Sequence, residues 1–505
     1  MTTSSAPPPP STPGLARTMG LTGLVATGVC SMIGASIQIV PFQLQRTVPG
    51  IGPWVLGAFL TAAVPAVLAA LCYAILASAM PRAGGSYVYA SRGLNPYLGF
   101  VASFSQWFGL CIAIGVVSYV IPPFLRDVAI PAGFPALGAA LDHGPIRLAV
   151  ALVFLWTFVG VNLRGVGAVE KTLIPLMVIM FVLGAIVIFA GTQYTQADFA
   201  SGLAAKEPGR TVPVADAPFS WATFLSASTV LFSSFIGFDA IAQAGGEAKN
   251  PARNLPLATG IAVLTVGCFY FLFAGAVYHI VPWSFVAEEA SKHDVTAPGL
   301  LSYVLSPGWT LAIVAGAAIS LINDLPGMLL AVSRLMFAWA EDGVFPAGVA
   351  AVHPTWRTPH VAIIASAVMA TIGILGCHFA SDFFLGVDIL VISMLVNFIL
   401  MCATVIALPS VNPAIASKIT VLRTRAVQAP LAALGIALLG SLLAVSVWKD
   451  VAAPARAWYY RSTPVWLGVM AMATVIYWRE RSKLAASGID AQARFRELPP
   501  EGGVV

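Results

Sequence analysis

Ten residues, Gly28-Val-Cys-Ser-Met-Ile-Gly-Ala-Ser-Ile37, carry the first chemistry legible in this chain. They lie inside an apolar run from about Leu15 to Leu44, long enough to cross a bilayer. Two glycines and two serines in the middle of such a run let a helix unwind and show its backbone. Bare backbone at membrane depth is tolerated only where it lines a cavity or is buried in protein. Unwound helices near the midplane are where many secondary transporters hold their solutes. Unwinding after Ile33 would free N–H groups on the outer half-helix, whose positive dipole end favours a carboxylate. Freed carbonyls here and at a second glycine-interrupted stretch, Phe235-Ile-Gly-Phe-Asp-Ala240, could accept from an ammonium. A pocket drawn from Ile33, Gly34, Ala35, Ser36, Phe232, Phe235, Ile236 and Gly237 would then grip both ends of a zwitterion without a formal charge. The plainer reading is that Gly28 and Gly34 only allow close helix packing, as small-xxx-small patterns do.

Two acids stand in otherwise apolar sequence, where an ionisable group costs several kcal/mol unless it is paired or lines water. Asp239 closes the second glycine motif and reads either as a coupling acid or as a cap on a half-helix. Asp324 sits in Asn323-Asp-Leu-Pro-Gly327, where Pro326 removes a backbone donor and invites a kink. Asp324 and Met328 are i,i+4 neighbours and share a helix face. Asp324 either titrates during transport, holds a cationic solute group, or is satisfied by hydroxyls of the first segment. Asp388, nearer a segment end, reads as reaching headgroup water, and His279 and His378 read as interfacial. Glu247, Lys249 and Arg253, with Arg82 and Arg92, are gate candidates; as plain topology-setting charge they would need no further role.

These residues need a membrane to position them. The chain has 505 residues, 58% hydrophobic and 9% charged, against roughly 25% charged in soluble proteins. Water could not disperse such a surface, so the class is integral membrane protein. A span needs about 20 mostly apolar residues, and that window gives twelve: 20–46, 53–79, 97–124, 147–163, 170–191, 220–246, 256–281, 308–340, 360–379, 384–408, 428–448 and 463–479. With the N-terminus cytoplasmic, 17 of the 26 Lys and Arg fall on the inner side, so both termini are expected inside. The six cysteines lie within apolar segments in no metal-type spacing and read as small core hydrophobes. Met1–Pro13 is Ser/Thr/Pro-rich without a basic, cleavable leader, and residues 1–18 read as a disordered tail. Neither a phosphate-binding loop nor a cofactor motif is present, so ATP drive is not expected, nor any cofactor or metal.

At Phe235-Ile-Gly-Phe-Asp-Ala240, followed by Glu247-Ala-Lys-Asn-Pro-Ala-Arg-Asn-Leu-Pro256, the chain resembles the amino acid–polyamine–organocation transporter family. The first-span stretch resembles that family's Gly-Ser-Gly-type break, and Trp339-Ala-Glu-Asp-Gly-Val-Phe-Pro346 its eighth-helix exit. The resemblance covers roughly residues 18 to 410. It implies an all-α membrane protein with a LeuT-type 5+5 inverted repeat, about 19–192 and 218–410, within a core of 19–410. Two C-terminal helices at 425–480 and a cytoplasmic tail at 481–505 lie outside the repeat. It also implies an acid at Asp239, and an eighth helix whose midpoint faces the first. The chain departs from the family pattern at Ser36, where a second glycine is usual, and at Gln38, where an aromatic is usual. Ser233 takes the place of a gating aromatic, leaving Phe232 or Phe235 to serve. Met180 stands where some proton-coupled relatives carry a lysine, which moves suspicion to the two aspartates.

The expectation is a multi-pass permease of the plasma (inner) membrane, bacterial by its Ala/Val/Gly richness. It moves an amino acid, which could be cationic, by alternating access, with the proton as coupling ion in symport or exchange. The competing readings are an amine or polyamine transporter of the same fold, or a channel or nutrient-sensing receptor. No nucleic-acid partner and no enzymatic activity are expected, because no HExxH or clustered His/Asp constellation is present.

Overall fold

The computed structural model describes residues 15–34, 36–380, 383–452, 457–487 and 494–499. Every extended regular element among them is a helix. The first half holds α1 (Leu21–Met32), α2 (Ser36–Thr47), α3 (Val55–Ala79), α4 (Gly85–Gly93), α5 (Pro96–Ala129), α6 (Pro135–Asp142), α7 (Gly144–Leu163), α8 (Val166–Gln193) and α9 (Gln196–Lys206). The second half holds α10 (Trp221–Phe232), α11 (Ala240–Gln243), α12 (Pro251–Ile280), α13 (Trp283–Lys292), α14 (Ala297–Leu301), α15 (Pro307–Glu341), α16 (His360–Ala380) and α17 (Phe383–Val411). After α18 (Pro413–Ala416) come α19 (Arg425–Ala452) and α20 (Ser462–Ala486).

Eleven helical spans among the described residues are long and apolar enough to cross a membrane. The twelfth expected crossing, 463–479, is helical as α20, but Ser462, Thr463, Pro464, Trp466 and Thr474 dilute its apolarity. The positions of its ends show its course through the bundle. Twenty-five residues reach about 37 Å at 1.5 Å each. Tyr460 and Arg461, just before α20, lie at the cavity mouth described below, while Arg494 bonds the Glu341 carbonyl at the opposite face. So α20 carries the chain from one face to the other, and both described chain ends lie on one side. We call that side the terminal face and the other the far face.

Two long helices organise the bundle. α5 has 34 residues and α15 has 35, each roughly 50 Å, and they pack along one another. Small residues let their backbones approach neighbours. A Cβ on Gly115 of α5 would lie 2.6 Å from the Ala370 carbonyl oxygen of α16, and one on Gly109 would lie 2.6 Å from Ser393 Cβ of α17. This is the close approach that small residues permit where lipid supplies no hydrophobic drive between helices. α15 is not broken at Pro326; the helix runs through it, and Asn162 Nδ2 of α7 donates to the Pro326 carbonyl at 3.2 Å.

The cysteine expectation holds for five residues, which are buried, but Cys268 is exposed on α12. α12 is only half buried in the protein, so its outer side faces where lipid would be. A Gly115→Val variant should unfold at lower temperature than wild type in detergent. The added methyls meet backbone that cannot step aside, an overpacking cost of roughly 1–3 kcal/mol, which outweighs any gain in helix propensity.

Candidate functional site

The first span is two helices, not one. α1 ends at Met32 and α2 begins at Ser36, with Ile33 and Gly34 non-helical between them. The sixth span is interrupted as well. α10 passes into one 3₁₀ turn at Ser233–Phe235, Ile236 is extended, and Gly237 takes φ +131° before the short α11. That dihedral suits glycine alone. The reason is spatial too, since a Cβ on Gly237 would lie 2.0 Å from the Ser31 carbonyl oxygen. The two interruptions therefore touch backbone to backbone. Tyr270 of α12 donates its hydroxyl hydrogen to the Met32 carbonyl, meeting an acceptor that the end of α1 leaves open. Nothing in the sequence pattern singles out Tyr270.

A cavity of about 640 Å³ starts at these interruptions. Gly34, Ile236, Asp324 and Met328 line it, together with Ser31 and Ser233. It reaches the far face past Gln43, Thr47, Lys449 and Arg461. Asp388 also lines it, within electrostatic reach of Lys449 of α19, and so is part of the passage, not a group reaching for headgroups. The other expected pocket residues lie behind the wall. Phe232 packs on Phe398, with ring centroids 6.2 Å apart, and Phe235 packs on Phe59 and Tyr270. Neither ring reaches the cavity: Phe232, at the end of α10, faces α17, and Phe235, at the end of the 3₁₀ turn, faces α3 and α12. Ile33 is buried off the cavity. Ala35 and the side chain of Ser36 lie outside the described residues.

The two acids separate cleanly. Asp239 is fully buried and does not line the cavity. Its Oδ1 accepts from the Gly237 N–H at 3.1 Å and its Oδ2 accepts from Gln106 Nε2 of α5. Gln106 in turn accepts from Ser86, which Gln243 also reaches at 3.2 Å. Asp239 is thus satisfied by a network that ties the broken sixth span to α4 and α5. Asp324 is different. It is 7% exposed, lines the cavity, and its Oδ1 has no hydrogen-bond partner among the described residues. Its Oδ2 lies 2.1 Å from where a Cβ on Gly34 would stand, directly against the first interruption. Ser31 Oγ, beside it in the lining, is likewise without a partner among them. The described first-span hydroxyls therefore do not satisfy this carboxylate, against one of the three expectations for it. Buried polar atoms left open in a cavity are the atoms a polar solute can meet. Met180 is buried in α8.

The terminal face is closed by two buried, bidentate ion pairs. Glu247 is paired with Arg334 of α15, at 2.8 Å from Nε and 2.7 Å from Nη2. The side chains are 2% and 0% exposed. Arg92 of α4 grips both oxygens of Asp342 at the end of α15, one at 3.0 Å. The side chains of Lys249 and Arg253, expected beside Glu247, are exposed and take no part in the buried pairs; Arg253 follows the turn at Asn250 (φ +44°), and Lys249 contributes only its backbone N–H. Sequence reasoning misses Arg334 and Asp342 as the partners in these buried pairs, although Asp342 belongs to the Trp339-Ala-Glu-Asp motif. Trp339 anchors that motif, stacking on Phe104 and donating to Ser103 at 2.8 Å. Backbone bonds add to the closure: Met19 N–H to the Glu247 carbonyl at 2.9 Å, and Lys249 N–H to the Met19 carbonyl at 2.8 Å. On the far face Arg46 and Gln43 of α2 reach Asp294, at 2.8 and 3.2 Å. Arg210 joins Glu207 and Glu289, and the Lys292 ammonium holds the Glu288 carboxyl below the usual range. These far-face pairs are partly exposed and worth little each. The structure is closed on one face and open on the other.

A sequence model of the family described as amino acid permease matches residues 19–472. A cationic amino acid transporter 4 (vacuolar) from Arabidopsis thaliana is 28% identical over 373 residues, 70% of this chain and 58% of that protein. A methylthioribose transporter from Bacillus subtilis is 28% identical over 357 residues, 68% of this chain and 72% of that protein. The branched-chain amino acid permease BcaP of Bacillus subtilis is 26% identical over 364 residues, 69% of this chain and 72% of that protein. The chain spans little more than half the length of the first curated relatives it matches.

Removing one partner of a buried ion pair strands the other charge at a cost of about 3–5 kcal/mol, whereas replacing both with apolar residues is close to neutral. Glu247→Ala should therefore lower the thermal unfolding midpoint sharply in detergent. Adding Arg334→Met should recover most of the loss. Independent, additive losses would show that the two side chains do not act as a pair.

Proposed function

The chain belongs to the amino acid permease family, and on that premise we propose that it is a secondary transporter carrying an amino acid by alternating access. In this reading the solute sits at the meeting of the two interrupted spans. N–H groups at the start of α2 take its carboxylate, and open carbonyls at the end of α1 and around Ile236 take its ammonium. Ser31, Ser233, Leu321 and Met328 line the cavity near the solute and would shape selectivity. The five-plus-five repeat stands as part of the proposal. It is supported by interruptions at corresponding first and sixth positions, which run in opposite directions through the bundle.

One observation carries the coupling: Asp324 is a buried cavity carboxylate with an open oxygen and no cationic partner among the described residues. Such a group needs a positive charge from outside the protein, and a proton supplies it. A protonated Asp324 beside Gly34 removes the repulsion that a solute carboxylate would meet there, so proton and zwitterion load together. Proton symport follows from that loading order. Asp239 remains a second coupling candidate. The Glu247–Arg334 and Arg92–Asp342 pairs form the gate on the terminal face, and the Lys/Arg bias supports placing that face in the cytoplasm of a bacterial plasma membrane.

The open Asp324 oxygen also favours a second solute class, an amine or polyamine lacking a carboxylate. A thermal-shift comparison of L-lysine, L-ornithine and L-leucine with cadaverine, putrescine and isoamylamine separates the two. Stabilisation by the amino acids alone supports the main reading; stabilisation by the amines alone replaces it.

Uptake of labelled amino acids into proteoliposomes tests the coupling. Wild type should accumulate solute when the outside is acidic, equally in sodium and in choline buffers. Asp324→Asn should lose the dependence on the pH gradient while still exchanging solute. Gradient-driven uptake that survives Asp324→Asn and Asp239→Asn together rules out both acids as the coupling groups.

A further inference from the structure

The segment Arg494–Pro499 follows α20 and lies against the closed gate. Four polar contacts hold it. Arg92 Nε donates to the Glu497 carbonyl at 3.0 Å, and Arg82 Nε to the Pro499 carbonyl at 2.9 Å. Asn412 Nδ2 donates to the Arg496 carbonyl at 2.9 Å, and Arg494 Nη2 to the Glu341 carbonyl at 2.6 Å. Phe495 is 7% exposed and lies under the Arg92 guanidinium, 5.1 Å from ring centroid to Cζ.

Three features separate this from ordinary packing of a chain end. Arg82 and Arg92 lie on either side of the start of α4, Glu341 at the end of α15 and Asn412 after α17, so the segment straps together the ends of elements that meet around the Arg92–Asp342 pair. Arg92 is shared, because the guanidinium that pairs with Asp342 also holds the Glu497 carbonyl and covers Phe495. And three of the four contacts end on backbone carbonyls of the segment while the fourth uses its own arginine, so the docking reads chain path more than side-chain identity.

We propose that residues 494–499 are a latch that holds the terminal gate shut and must leave before it opens. With the segment in place, the gate moves only after Arg92 gives up the Glu497 carbonyl and the Phe495 ring. With the segment displaced, the Arg92–Asp342 pair gains solvent on one side and loses the strap around it. The latch rests on the alternating-access reading, and its test includes a readout that needs no solute.

Full-length Phe495→Ala, a full-length Arg494→Ala/Phe495→Ala double variant and a chain ending at Ser487 are compared with wild type, each checked for a monodisperse size-exclusion peak. Hydrogen exchange of residues 82–93 and 334–345 should speed up in all three variants. Initial amino acid uptake should rise least in Phe495→Ala, which loses the ring under Arg92 and no hydrogen bond. It should rise by about threefold or more in the double variant, which also loses the Arg494 hydrogen bond, and most in the shortened chain, which loses all four. Exchange equal to wild type overturns the latch. So does faster exchange with uptake unchanged, which would make the segment packing and nothing more. If the shortened chain does not fold, the two full-length variants decide the question by the same readouts. Faster exchange in a protein whose wild type takes up no amino acid strikes the transport reading and leaves the latch standing.

Discussion

Inside a bilayer every backbone N–H and C=O needs a partner from protein or trapped solvent. That constraint decides the architecture here. Two spans are interrupted midway as regular helices, and each interruption releases peptide groups that lipid cannot satisfy. The protein meets part of the deficit itself, through the Tyr270 hydroxyl on the Met32 carbonyl and the Asp239 carboxylate on the Gly237 N–H. The remainder opens onto a cavity whose lining includes the Ser31 hydroxyl and Asp324 Oδ1, both unpartnered among the described residues. The site is what is left after the scaffold has been satisfied.

The distribution of charge follows the same economy. Where ions are fully buried, at Glu247–Arg334 and Arg92–Asp342, they are paired in bidentate geometry with almost no exposed remainder. Where pairs stand at the far face, they are looser and wet. Desolvated pairs are costly to break singly, so the closed face resists opening far more than its partner does. The two faces differ accordingly, one dry and paired, the other open to the cavity.

Much of this is legible in the residues. The glycines at 34 and 237, the intramembrane acids and the long apolar runs announce two interrupted helices in an all-α bundle. Pattern does not say which acid faces the cavity, since Asp239 and Asp324 both sit beside glycine in apolar sequence; only the approach of Gln106 from α5 tells them apart. The aromatic rings escape sequence reasoning for a related cause. Phe232 ends α10 and Phe235 ends the 3₁₀ turn after it, so the two rings point to different neighbours, and the turn is not signalled in the sequence. Lys249 and Arg253 look like partners for Glu247 by proximity along the chain, yet their side chains are exposed and Arg334, 87 positions on, takes the role. Twelve crossings are countable, but α20 is recognised as one by where its ends lie, not by its hydropathy. Pairing across distant sequence is the part that one-dimensional reading leaves open.

The contact of Gly237 with the Ser31 carbonyl has a bearing on how such a protein can diversify. No side chain intervenes, so the spacing of the two interruptions is set by backbone radii as long as residue 237 is glycine, and any side chain there would push them apart. Side chains can vary instead in the cavity lining beside that contact, where Thr229, Ser233, Leu321 and Met328 set the shape of the space without touching the backbone approach.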